Sequence, residues 1–148
     1  MDPARLTVEI TEDVVVDRAV QRAIDGLRSL GVEIAIDDFG TGNSSLRQLG
    51  SYPAAVLKID RSFVDRIAES HEALAVTRAI VRMAHDLGLR TVAEGVETTA
   101  QATLLVELGC ELAQGWLFAR PMTITELAAR HPSGTRLWTP YPTKPERV

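Results

Sequence analysis

The sequence predicts an α/β domain built on a mostly parallel sheet. Short β-rich runs alternate with longer helical patterns, and the first three helical stripes each stop at a glycine. Side chains that ionise or carry an amide collect at the carboxyl ends of the β-rich runs. Alternation of this kind demands right-handed crossovers and parallel pairing.

Five strands are expected, at residues 5–11, 32–37, 55–60, 90–95 and 112–118. The first helix lies within "VVVDRAVQRAIDGLRSLG", with a stripe of Val16, Val20, Ala23, Ile24 and Leu27 that ends at Gly31. The second, in "HEALAVTRAIVRMAHDLG", carries Leu74, Thr77, Ile80, Val81, Ala84 and Leu87 and ends at Gly88. A third opens on a threonine cap in "TTAQATLLVELG" and ends at Gly109, and a last one runs from about Thr123 to His131.

A (β/α) barrel needs eight strands and typically ~250 residues. Five strands in 148 residues therefore fit either a small doubly wound sheet or part of a barrel. Beyond residue 131 the pattern stops, and residues 132–148 hold four of the seven prolines, which predicts an irregular tail.

Composition narrows the function. The chain is 45% hydrophobic and 24% charged, ordinary for a globular domain, and its net charge of −4 argues against broad binding to duplex nucleic acid. Cys110 is the one cysteine, so no internal disulfide forms; by itself it reads as a small buried hydrophobe. No apolar run reaches the ~20 residues of a membrane span. The opening "MDPARLTVEI" does not resemble a signal peptide, and a cytoplasmic location without membrane contact is expected. His71, His85 and His131 fall on helices or at the border of the tail, where a surface role is expected.

The strand ends carry Glu9, Asp37 with Asp38, Lys58 with Asp60, Glu94, and Gln114. Strand periodicity puts Glu9 on the face of Thr7 and Thr11, Asp37 on that of Ala35, and Lys58 and Asp60 on that of Val56. The opposite faces are apolar. One carboxylate at a strand end is most often a helix cap or a solvated loop charge; five successive polar strand ends are not explained that way. Parallel α/β folds bind ligands at these ends. Converged, Glu9, Asp37, Asp38, Asp60 and Glu94 would repel without cations between them. An all-oxygen set of this kind favours Mg²⁺ or Mn²⁺ over zinc.

The motifs "EITE" (9–12), "DDFGTGNSSL" (37–46), "LKIDRSFV" (57–64), "AEGVET" (93–98) and "QGWLFARP" (114–121) resemble those of the EAL family of cyclic di-GMP phosphodiesterases. The resemblance implies an incomplete (β/α)8 TIM-type barrel, about five βα units of its C-terminal portion, over residues 1–131. It implies hydrolysis of cyclic di-GMP to linear pGpG with two Mg²⁺ or Mn²⁺ ions. Glu9, Asp37 and Glu94 resemble metal ligands, and Asp38 and Asp60 resemble ligands or positioners at the second metal. Lys58 resembles the lysine that contacts the attacking water. Gln114 resembles a residue orienting that network, and Glu97 a supporting acid. Glu12 resembles the glutamate bracing the loop after the paired aspartates, where Gly40 and Gly42 permit the turn.

No segment matches the family's Glu-Ala-Leu motif, its asparagine ligand or its phosphate-gripping arginine. The barrel is expected to be open, with an edge for a homodimer or another chain to cover. Two readings follow: an impaired phosphodiesterase, or a non-catalytic remnant that binds a partner. A receiver domain also pairs acids with a lysine, but it would place that lysine on its last strand, where this chain has Gln114.

Overall fold

The computed structural model describes residues 2–11, 18–40 and 53–130. One compact unit spans Met1–Phe118 and a second Ala119–Val148. In the first unit the order is β1 (Thr7–Thr11), α1 (Arg18–Ser29), β2 (Glu33–Phe39), β3 (Val56–Ile59), α2 (Arg61–Val64), α3 (His71–Asp86), β4 (Arg90–Ala93), α4 (Thr99–Leu108) and β5 (Leu112–Ala113). A 3-10 turn at Pro3–Arg5 precedes β1.

All five strands are parallel, and their order across the sheet is β1-β2-β3-β4-β5. A doubly wound sheet reverses direction part-way along its strand order. This sheet never reverses, which is how strands are laid down around a barrel.

Register sorts the two faces, because paired residues in parallel strands point the same way. Ile36 pairs with Leu57, and Ile59 with Ala93. These side chains form the core with Val64, Ile67, Ile80, Val81, Ala84, Ala102 and Leu105 from the helices. The other face holds Glu9, Ala35, Val56 and Lys58, with Val92 beside Lys58. Beneath the polar strand ends on that face, Glu33 and Arg90 form an ion pair from β2 to β4.

The helices obey local rules. Ser70 caps α3 by accepting from Ala73 N–H at 3.2 Å. Thr98 and Gln101 form a reciprocal capping box at the start of α4, and Gly109 ends it with φ +90°. Thr77, Ile80, Val81 and Ala84 are buried, as their spacing predicts. Leu87 is not: it lies in the C-cap, where the chain leaves the helix towards Gly88, and it is exposed. Ala23 is exposed too, because α1 packs mainly through Ile24. Val16 lies outside the described residues.

Four strands are shorter than expected: β1 and β3 by one or two residues at their ends, β4 and β5 at their carboxyl ends. β4 stops at Ala93, and β5 holds only two residues. Beyond them the chain turns at Gly95 and Gly115, and the two loops bond each other instead. Val96 N–H donates to Gln114 O at 3.0 Å, and Leu117 N–H to Val96 O at 3.0 Å. A Cβ on Gly115 would lie 2.2 Å from Val96 O, so only glycine permits this approach.

At the opposite end of the sheet, Glu111 accepts from the backbone N–H of Thr91 at 2.8 Å and from its hydroxyl at 2.5 Å. His85 sits 3.0 Å from the same carboxylate. Burial opposes ionisation of Glu111, but the Thr91 donors outweigh it and lower its pKa. Cys110 is half-buried, and burial raises its thiol pKa.

In the second unit, α5 (Ile124–Arg130) opens with a reciprocal cap between Thr123 and Glu126.

Replacing Glu111 with Ala leaves the N–H of the fully buried Thr91 without its acceptor and its hydroxyl with only Cys110 Sγ, and is expected to cost about 1–3 kcal/mol in urea unfolding. Because the folded carboxyl titrates below its unfolded range, the contribution is full above that range. It is lost as pH falls through the folded value, so the gap between native chain and variant closes in acid.

Candidate functional site

The polar strand ends meet around one ammonium. Lys58 Nζ lies 2.8 Å from Glu9 Oε2, 2.8 Å from Asp37 Oδ1 and 2.8 Å from Glu94 Oε1. The lysine side chain is 8% exposed, whereas that of Glu9 is 49% exposed. Burial pulls the Lys58 pKa down, but its bonds to Asp37, Glu9 and Glu94 outweigh burial and leave it raised. The group is an ammonium at any physiological pH. Gln114 Nε2 donates to the same oxygen, Glu94 Oε1, at 2.6 Å and helps to hold that carboxylate. Burial raises the Glu94 pKa; Lys58 opposes the shift, while the Asp37 and Glu9 charges add to it.

A regular strand would send adjacent aspartates to opposite faces. Here the register shifts between Ile36 and Phe39, and Asp38 takes a left-handed backbone with φ +53°. A bulge of this kind re-aims a side chain at the cost of local strain. The result is that Asp37, Asp38 and Glu94 each offer an oxygen, all within 4.8 Å of one another. Asp37 Oδ1 is buried and faces the Lys58 ammonium at 2.8 Å. Three carboxylate oxygens gathered this closely form a hard donor set that fits a divalent cation.

The remaining expected residues sit around this centre. Asp60 lies outside the group of three, and its carboxylate caps α2 by accepting from Ser62 N–H at 3.0 Å. Burial works against its ionisation, but the Ser62 and Arg61 donors lower its pKa. Glu97 pairs with Arg61 Nη2 at 2.9 Å. Gly40 has φ +92°, and a Cβ there would lie 2.7 Å from the Phe63 ring, so the turn is closed to larger residues. Glu12 and Gly42 lie outside the described residues.

Sequence reasoning missed the bulge at Asp38, since β-bulges have no period to detect. It also missed α2, although Asp60-Arg61-Ser62 is a capping pattern that could have revealed it.

The class this architecture defines is a parallel α/β sheet in barrel order with an acidic site at its strand ends. The EAL domain family profile matches residues 1–121, and the chain belongs to that family. Cyclic di-GMP phosphodiesterase NbdA of Pseudomonas aeruginosa is 46% identical over 125 residues, covering 82% of this chain and 16% of NbdA. The solved P. aeruginosa MucR phosphodiesterase in complex with c-di-GMP matches with TM-score 0.78 and 43% identity, over 86% of this chain and 52% of that one. Klebsiella pneumoniae BlrP1, solved as a manganese/cy-diGMP complex, matches with TM-score 0.75 and 36% identity, over 82% of this chain and 31% of that one. A second BlrP1 structure is a calcium/cy-diGMP complex, so a divalent cation accompanies the ligand in both. The chain thus spans about half of the solved MucR domain and a small fraction of NbdA. Among the described residues, no helix is long and apolar enough to cross a membrane.

Lys58→Met leaves the gathered carboxylates without their shared cation. The expected loss in metal-free buffer is about 3 kcal/mol by urea unfolding, and Mn²⁺ should restore more stability to this variant than to the native chain. Asp38→Gly keeps the left-handed backbone and deletes one carboxylate. Stability should stay within about 1 kcal/mol, since relieved strain offsets glycine's unfolded-state entropy, while calorimetry should show weaker Mn²⁺ binding.

Proposed function

We propose that the chain acts in cyclic di-GMP signalling and carries the strand-end part of a site that hydrolyses cyclic di-GMP to linear pGpG. The convergence of Asp37, Asp38 and Glu94 within 4.8 Å, beside Lys58 and Gln114, carries this reading. The names of NbdA and MucR support it.

Asp37, Asp38 and Glu94, with Glu9 and Asp60 at the margin, would hold Mg²⁺ or Mn²⁺. Bound divalent ions acidify water and offset phosphate charge. Lys58 supplies the positive charge that Glu9, Asp37 and Glu94 share. Gln114 holds Glu94 in one orientation. Glu97, tied to Arg61, supports the loop that follows Glu94.

Two octahedral ions need about six ligands each. The carboxylates gathered among the described residues fill only part of those shells, and water or a further segment would supply the rest. A second reading, a partner-binding module without catalysis, is favoured by the edge position of β1. A homodimer or another chain would cover that edge, because an uncovered edge strand invites pairing.

The test is incubation of the purified chain with cyclic di-GMP and Mn²⁺, with pGpG measured by chromatography. Slow turnover abolished by Glu94→Ala supports the catalytic reading. Ligand binding without turnover supports the binding module. Absence of both overturns a role in cyclic di-GMP signalling.

A further inference from the structure

Trp116 and Phe118 are 50% and 51% exposed, while Leu117 between them packs against the core. Trp116 is moreover held in place. The Arg61 guanidinium lies 5.8 Å from the centre of its ring. That guanidinium is itself clamped, by Glu97 at 2.9 Å and by Asp65 at 3.0 Å. The Arg61 stem crosses Gly95, where a Cβ would lie 2.5 Å from Arg61 Cγ. Gly95 follows Glu94 in the chain, and Trp116 lies two residues beyond Gln114, which bonds Glu94. The indole is therefore tied from two directions to the loop that bears the carboxylate site.

We propose that Trp116, steadied by Arg61, is a stacking surface for a purine base of the ligand held at the strand ends. This rests on the cyclic dinucleotide reading above. Base stacking on an aromatic ring needs no matched hydrogen bonds, only a flat and accessible π-face. An indole already fixed by a cation–π contact loses little freedom on binding, so more of the stacking free energy appears as affinity. Arg61 acts as a positioning residue, through the ring and through Glu97.

The chain has two tryptophans, so Trp138→Phe makes the emission report Trp116 alone. Cyclic di-GMP is titrated into that variant in Ca²⁺, the cation of one solved complex, with ribose 5-phosphate as a probe lacking a base. The expected result is saturable quenching by cyclic di-GMP and none by ribose 5-phosphate. In calorimetry, Trp116→Ala should weaken cyclic di-GMP binding by about tenfold. Trp116→Phe should recover most of that loss, and Arg61→Ala should give an intermediate one. Calorimetric binding with unchanged emission and an unchanged Kd in Trp116→Ala would overturn the stacking surface and leave the cyclic dinucleotide reading standing. No calorimetric binding at all overturns both. The emission titration leaves the site intact, so it decides the matter even if Trp116→Ala fails to fold.

Discussion

The ammonium of Lys58 draws carboxylates from three different strands to one point: Glu9 from β1, Asp37 from β2 and Glu94 from the end of β4. Each approach is 2.8 Å, and the lysine side chain is almost wholly enclosed. Three carboxylates this close would separate without a positive charge among them. The lysine therefore does for the sheet's polar end what the Ile36–Leu57–Ile59 cluster does for its apolar face. It makes convergence of the strand ends favourable. The cost is a buried charge, and that cost is tolerable because the partners are several and partly solvated.

Around this centre the backbone bends to suit the chemistry. The left-handed Asp38 breaks strand alternation so that neighbouring carboxylates face one space. Gly95 and Gly115 let the loops after β4 and β5 approach more closely than any side chain would allow. These loops exchange backbone hydrogen bonds in place of longer strands. The same close approach sets Trp116 against Arg61 and ties both to Glu97. Departures from regular geometry thus gather at the end of the sheet where the polar residues meet, while the far end is pinned by Glu111 on Thr91.

Much of this was legible in the chain. Parallel pairing followed from the alternation of strand and helix, and the ends of α3 and α4 from their caps and glycines. The polar strand ends could be named residue by residue because period two assigns each side chain a face. Asp60 shows the limit. Periodicity puts it with Lys58, yet its carboxylate turns to the first N–H groups of a short helix that no periodic pattern announces. Leu87 shows the same limit for helices: its spacing fits the apolar stripe, but the helix ends before its side chain can reach the core.

The sequence by itself determined which residues lie at the strand ends and which faces are apolar. Those properties depend on spacing along the chain, and spacing is local. Only the tertiary structure decided that the sheet keeps barrel order and that Asp38 joins Asp37. It also decided that one lysine serves three carboxylates and that Arg61 reaches both Glu97 and Trp116. Each of these depends on distances between segments remote in sequence, which are set by register, by a bulge and by how closely two glycine loops can pack.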